Sequence, residues 1–479
     1  MTLTPKIVTA FLLAFMLGGC SRPPVQLTVA LTGATVINVR DGTRVTDSTV
    51  LIEAGRITRI ASDGDVQIPR HASIVAARGD YIIPGFWDLH THIQNPRELE
   101  VFVPLLIAHG ILGIRDMEGL LPREFRELGM RQPYMPHVIA CGTYIDGKAP
   151  AGVPDAAIVD ELAEEGVDCI KVGSLLPRDR FLAIAERARA RGLPLVGHVP
   201  IAVSAGEASD AGLRTIEHLW DILGTISTRE TELRRERVTA LAHQMSLAET
   251  ERVLAFPPTE PAIATWSDAK ASALFRTFVA NRTWQTPTLI NHEARLRALR
   301  RDSSFWSDPD LQLMPRDWVD AWRPERNQFL KGLPSAKIPG YLRAMEATHR
   351  AKMDLVRRMH EAGVGFLAGT DVSNWNFTVP GASLHSELLL LTQAGLTPLE
   401  ALQTATLNPA KYLGIEDSSG TVEVGKRADL LILDADPTVN ITNTRHIVAV
   451  VIGGHVIDRN ALDQMLARSR THATEFPQP

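Results

Sequence analysis

Short apolar runs separated by glycine and aspartate turns set the pattern of this chain. Between residues 27 and 83, LTVALTGATVINV, STVLIEAGRITRIA and HASIVAARGDYIIPG are rich in valine, isoleucine and threonine, residues suited to a pleated, half-buried surface. From residue 84 to about 415 the texture changes. Brief apolar runs (GILGIRDM, MPHVIACG, VDCIKVGS, LPLVGHVP, LRTIEHLW, TWQTPTLI and VGFLAGTD) alternate with helical patterns such as RDRFLAIAERARARG. Such alternation argues for parallel βαβ units, and about eight strands argue for closure into a barrel. Residues 421–457 return to strands, in GTVEVGKRADLLILDAD and HIVAVVIGGHVI. The pattern predicts an α/β protein: a (β/α)8 TIM-type barrel over 84–415, inserted in a small composite β-sandwich domain formed by residues 27–83 and 416–468. The stretch 225–350 is long, charged and tryptophan-rich, and reads as a helical insertion of the kind that often forms a lid.

The first residues break this pattern. MTLTPKIVTAFLLAFMLGGC carries Lys6 and then an apolar run from Ile7 to Leu17, too short to span a bilayer and suited to the core of a signal peptide. LGGC resembles the lipobox of bacterial lipoproteins. That resemblance implies a signal peptide over 1–19, lipidation of Cys20 as the mature N-terminus, and a tether over 20–26. Ser21 after the cysteine resembles the outer-membrane pattern, so the expectation is a lipid-anchored, periplasm-facing protein of the bacterial cell envelope. The rival is an ordinary secretory signal with a chance cysteine.

Composition adds little beyond this. The 479 residues are 45% hydrophobic and 22% charged, with a net charge of −5 and no long basic run, which argues against a nucleic-acid partner. Of three cysteines, Cys141 and Cys169 stand in apolar strand-like runs. Buried free thiols are expected there, with a disulfide as the alternative in an oxidising compartment.

The chemistry is concentrated at strand ends. In PGFWDLHTH, alternation puts Asp88, His90 and His92 on one face of a strand. His92 lies nearest the C-terminal end, where barrel active sites are built. Taken alone, one HxH is weak evidence for a metal. Four further positions strengthen it. Lys171 stands inside the apolar DCIKVGS, where a charged amine is costly to bury. His198 ends LPLVGHVP, His218 ends LRTIEHLW, and Asp371 ends VGFLAGTD. Five such strand ends with one shared chemistry point to a metal site.

Over nearly the whole mature chain this pattern resembles the amidohydrolase superfamily, through PGFWDLHTH, IKV, GH, EH, GTD and the tail LTPLEALQTATLNPAKYLGIEDSSGTVEVGKRADLLILDADP. GIRDMEG resembles the branch containing imidazolonepropionase-like proteins and metal-dependent Xaa-Pro dipeptidases. The resemblance implies two divalent metal ions, zinc by default. His90, His92 and Asp371 would hold the buried ion, and His198 and His218 the more exposed one. Lys171 would be carboxylated by carbon dioxide, so that a carbamate bridges both. Asp371 would be general base and then general acid in hydrolysis of an amide bond in a dipeptide, Xaa-Pro dipeptides included, or in an N-acyl amino acid. Lactone, ester or cyclic-amide hydrolysis is the alternative within the superfamily. A non-catalytic binding lipoprotein would be marked by lost ligands, and none is lost. Barrels of this family often associate, so a homo-oligomer is left open.

Other residues carry two readings each. Asp88, one step deeper than the histidines, suits a supporting role better than ligation. Arg115 and Asp116 suit either a structural ion pair or substrate contact. His385, opening the helix after the eighth strand, suits either a structural role or substrate contact. Tyr144, Asn374 and Trp375 follow strands and are candidates for the substrate pocket. Arg282 and the arginines of 225–350 are the candidates for meeting a substrate carboxylate. His71, His109, His137, His243, His292, His349, His360, His446 and His455 lack the strand-end setting and read as surface or satisfied histidines.

Overall fold

The computed structural model of the protein describes residues 27–147, 153–241, 259–327 and 329–475. The signal peptide, tether and Cys20 expected at 1–26 lie outside the described residues.

The N-terminal strands form a sheet around β1 (Thr28–Ile37). β2 (Arg44–Glu53) is antiparallel to β1 and pairs in turn with β3 (Arg56–Ser62). β4 (Ser73–Ala76) and β5 (Tyr81–Pro84) run parallel to β1.

The chain then enters the barrel. β6 (Phe86–Thr91), β7 (Ile111–Asp116) and β8 (His137–Ala140) are parallel neighbours. So are β9 (Ile170–Val172), β10 (Leu195–Gly197), β11 (Leu213–Glu217) and β12 (Trp284–Thr286). Single parallel bridges join the two groups: Ile145 to Val172, Gln285 to Phe366, and Thr91 to Val372. The eighth strand is thus an extended segment, 364–372, stitched on both sides. Leu367 N–H donates to Gln285 O at 2.9 Å, and Asp371 N–H to His90 O at 2.8 Å. Its Gly369 is required by close approach, since a Cβ there would meet Thr286 Cγ2 at 2.6 Å and His90 Cβ at 2.9 Å.

The chain finally returns to the first sheet. β13 (Leu430–Leu433) pairs antiparallel with β5, followed by β14 (Ile447–Ile452) and β15 (His455–Asp458). Alternation decides how this sheet packs. Val29, Leu31, Val50, Ile52, Leu430, Ile432, Ala449 and Val451 form its own core. Ile83, Leu431, Leu433, Val450 and Ile452, on the other face, join the barrel core.

The stretch 225–350 differs from a single insertion, because β12 runs through it. Helices Glu230–Leu241 and Asp268–Asn281 precede that strand, and Leu289–Leu299 and Ile338–Glu361 follow it. Among the described residues no helix is long and apolar enough to cross a membrane.

The free thiols expected at Cys141 and Cys169 are corrected to a disulfide. One cysteine follows β8 and the other precedes β9, so strand adjacency brings their Cα atoms to 4.5 Å, within bonding geometry. The bond closes 28 residues of sequence. On chain entropy a loop of that size contributes about 3–4 kcal/mol. Replacing both cysteines with alanine is expected to lower the denaturant midpoint correspondingly, and an unchanged midpoint would refute that contribution.

Candidate metal centre

Side chains from β6, β9, β10, β11 and the segment 364–372 converge at the C-terminal end of the ring. A cavity of about 250 Å³ there is lined by His92, Lys171, His198, His218 and Asp371. His90 is fully buried, with Nε2 3.3 Å from Asp371 Oδ1. His92 Nε2 lies 3.0 Å from the same oxygen. His218 (φ 59°) and Asp371 (φ 56°) both occupy the left-handed region. Such backbone is uncommon outside glycine, although histidine and aspartate enter it more readily than most residues, and it clusters at functional sites.

Three imidazoles are turned the same way by hydrogen bonds at Nδ1. His90 Nδ1 lies 2.7 Å from Glu217 Oε2, His198 Nδ1 2.8 Å from Ser174 Oγ, and His218 Nδ1 2.7 Å from Thr288 Oγ1. The Glu217 carboxylate can only accept, so His90 Nδ1 is the donor and Nε2 is left as an acceptor-type nitrogen; at His198 and His218 a hydroxyl occupies Nδ1, which leaves Nε2 as the nitrogen available to another partner. Among the described residues, His90 Nε2, His92 Nδ1 and His198 Nε2 are buried without a hydrogen-bond partner. One ligand atom each from His90, His218 and Asp371 falls within 4.8 Å of the others. This set of buried imidazole nitrogens and a carboxylate fits a divalent metal of zinc-like preference.

Electrostatics agree with that fit. Burial, helped by Lys171, holds His90 and His198 well below the ordinary imidazole range; burial and His90 do the same for His218. That shift favours the neutral imidazole, the form in which histidine binds metal. Burial also pushes the Lys171 ammonium down, against the pull of Asp371 and Glu217. At Asp371 burial opposes ionisation, but the imidazoles of His218, His90 and His92 outweigh it and hold the carboxyl well below its usual range.

Tyr144 and Trp375 line the cavity. Tyr144 donates to Asp146 Oδ2 at 2.7 Å, and its ring centroid lies 5.5 Å from Lys171 Nζ. Trp220 stacks on His198 at 4.5 Å. Asp88 lies below the histidines, where it accepts from Thr370 Oγ1 at 2.6 Å and from His90 N at 3.1 Å. Burial pushes its carboxyl up to about 7.

Three candidate substrate contacts are corrected. Arg115 is fully buried inside the barrel, donating to Leu89 O at 2.7 Å and Glu217 Oε1 at 2.8 Å. It therefore braces the carboxylate that orients His90, and Asp116 instead accepts from Ile93 N at 2.6 Å. Asn374 turns away to donate to Glu98 Oε1 at 2.7 Å. His385 lies between Thr444 Oγ1 at 2.9 Å and His109 O at 3.1 Å, because the helix it opens packs toward the terminal segments. Removing one member of a buried pair leaves the other charge uncompensated, at about 3–5 kcal/mol. Arg115→Met is expected to lose stability on that scale in a denaturant titration, and a shift under 1 kcal/mol would refute the bracing role.

The sequence assigns no role to Glu217, Asn291, Lys352 or Asn376, while Arg295 is one of the arginines of 225–350 that it offers for a substrate carboxylate. Asn291 Nδ2 and Asn376 Nδ2 donate to Asp371 Oδ2 at 2.9 and 3.0 Å. His292, read as a surface or satisfied histidine, is buried and lines the cavity.

Comparisons with known proteins bear on this geometry. A model described as "Amidohydrolase family" matches residues 320–457. The imidazolonepropionase of Micrococcus luteus is 31% identical over 418 residues, covering 84% of this chain and 91% of that protein. Imidazolonepropionases of Shewanella baltica are 36% identical over 108 residues, so that match spans 24% of their length. Among solved structures, bottromycin amidohydrolase superposes with a TM-score of 0.69 at 24% identity, covering 93% of this chain and 91% of that one. A Xaa-Pro dipeptidase with bound methionine superposes with a TM-score of 0.63 at 16% identity, covering 90% and 100%. These two likenesses show a shared fold.

Proposed function

The chain belongs to the amidohydrolase superfamily, in its imidazolonepropionase- and prolidase-like branch, and on that premise we propose that it hydrolyses the amide C–N bond of a dipeptide or N-acyl amino acid with two divalent ions. The observation that carries this reading is the common orientation of His90, His198 and His218 around Asp371 and a buried lysine. His90, His92 and Asp371 would hold one ion, His198 and His218 the other, and Lys171, as a carbamate, both. When bound, the ions would supply a water of lowered pKa and polarise a carbonyl.

The chain's own residues do the rest. Asp371 Oδ1 faces the imidazoles and takes the proton of the attacking water, then returns it to the leaving nitrogen. Asn291 and Asn376 anchor Oδ2, which turns Oδ1 toward the imidazoles and the site of the attacking water. Trp220 and Trp375 wall the site with apolar surface, which limits water around the reacting bond.

A membrane-anchored, periplasm-facing location is part of the proposal. The LGGC stretch and the Cys141–Cys169 bond, of a kind that persists in oxidising compartments, support it.

Elemental mass spectrometry on the purified signal-free chain tests the metal count. The expected result is two equivalents per chain, with turnover of dipeptides or N-acyl amino acids that a chelator abolishes and zinc restores. One equivalent would overturn the binuclear reading. Cleavage of lactones or cyclic amides alone would overturn the substrate reading.

A further inference from the structure

We infer that the cavity wall built by helices Leu289–Leu299 and Ile338–Glu361 is an anion subsite, in which Arg295 and Lys352 receive a carboxylate carried by the substrate while Asn291 and Asn376 tie that subsite to Asp371. The inference rests on the proposed amide hydrolysis and makes its substrate class more specific.

Arginine can only donate hydrogen bonds and a carboxylate can only accept them. Arg295 Nη2 lies 3.1 Å from Asn291 Oδ1 and 3.2 Å from Asn376 Oδ1. The same two amides donate through Nδ2 to Asp371 Oδ2. Both side-chain amides are therefore fixed in one sense, with oxygen toward the guanidinium and nitrogen toward the carboxylate. The guanidinium is held in turn by the Phe329 ring, whose centroid lies 3.9 Å from Cζ. A group so placed can meet a planar anion without first being ordered.

The charge balance of this wall favours an anion. Arg295 and Lys352 both line the cavity, and their like charges oppose each other. Burial, then Arg295, pushes the Lys352 ammonium down to about 8, so it still carries charge at pH 7. Among the described residues Lys352 has no ion pair. Asp371 attracts it electrostatically across the cavity, and Glu387 does so less, being pushed up to about 8 by burial and largely neutral at that pH. His292 and His349 stack at 5.7 Å and are held below the ordinary imidazole range by burial. Two confined cations near a catalytic carboxylate favour a substrate that brings a negative charge of its own.

The test uses zinc-loaded full chain and matched probes that differ only in the carboxylate. Acetyl-L-alanine and acetyl-L-alaninamide are titrated by calorimetry, and kcat and KM are compared for dipeptides and their C-terminal amides. The acids are expected to bind about 100-fold better than the amides, the scale of a confined charge-assisted contact. Lys352→Met should collapse that ratio toward unity. Arg295→Met should lower kcat as well as raise KM, because the asparagines lose their orientation; Arg295→Lys should restore KM before kcat. Equal binding of acid and amide by the wild-type chain overturns the subsite, whether or not a variant folds. Amide cleavage without preference for the acid rejects the subsite and leaves the amide reading intact. Selective acid binding without any amide cleavage supports the subsite and rejects that reading.

Discussion

Asp371→Asn is expected to lower kcat by about a thousandfold or more, with the fold and melting temperature kept close to those of the parent chain. The reason lies in the two sides of one carboxylate. Oδ2 faces two donors, the amides of Asn291 and Asn376. Oδ1 faces the imidazoles of His90 and His92, at 3.3 and 3.0 Å. An asparagine has one oxygen and one NH2 group to place. The oxygen must meet the two amide donors, since NH2 against NH2 would leave buried donors opposed. The NH2 then faces the histidines, which removes an oxygen ligand and the proton acceptor at once. KM should change far less than kcat, because the cavity wall is untouched. A variant that keeps a tenth of parental turnover would sink the assignment of Asp371 as proton carrier.

The split between legible and illegible parts of this site follows from what a linear pattern can record. His90, Lys171, His198, His218 and Asp371 each interrupt or end an apolar run, so period-2 alternation and strand polarity suffice to put them at one end of a ring. The eighth strand was visible as VGFLAGTD but is not a regular strand. Gly369 and the left-handed Asp371 break its ladder into single bridges. Arg115 sits on a strand like the ligands, and only the packing of Tyr412, Thr215 and Glu217 around it shows that it lies beneath the cavity. Asn291 and Lys352 belong to helices in charged sequence, where a polar residue reads as a solvated face, and Arg295 is one arginine among several that the stretch 225–350 offers with nothing local to single it out. Their burial is a product of tertiary packing, which no local period records. The Cys141–Cys169 bond was open for the same reason, because a spacing of 28 carries no Cα distance.

The second large effect concerns Lys171. It occupies the middle of the three-residue β9, only 3% exposed, with Ile170 and Val172 fully buried on either side. An ammonium there is costly, and burial already pushes it toward the neutral amine. The neutral amine is the form that can take up carbon dioxide, and a carbamate reverses the sign of the charge that the surrounding imidazoles meet. Lys171→Ala is therefore expected to lose at least one of two bound equivalents and to lower turnover by about 100-fold or more, by analogy with losing a ligand at a catalytic metal site. Lys171→Met keeps the stem's apolar packing and should lose metal equally, which separates ligation from folding. The alanine variant leaves room beside His198 and His218 that a small carboxylate can enter, so added propionate should restore part of both metal content and turnover. Propionate rescue in the alanine variant but not in the methionine variant would follow from a missing anionic oxygen ligand. Unchanged metal content in both variants would instead make Lys171 a packed structural amine, and the two-ion reading would fall with it.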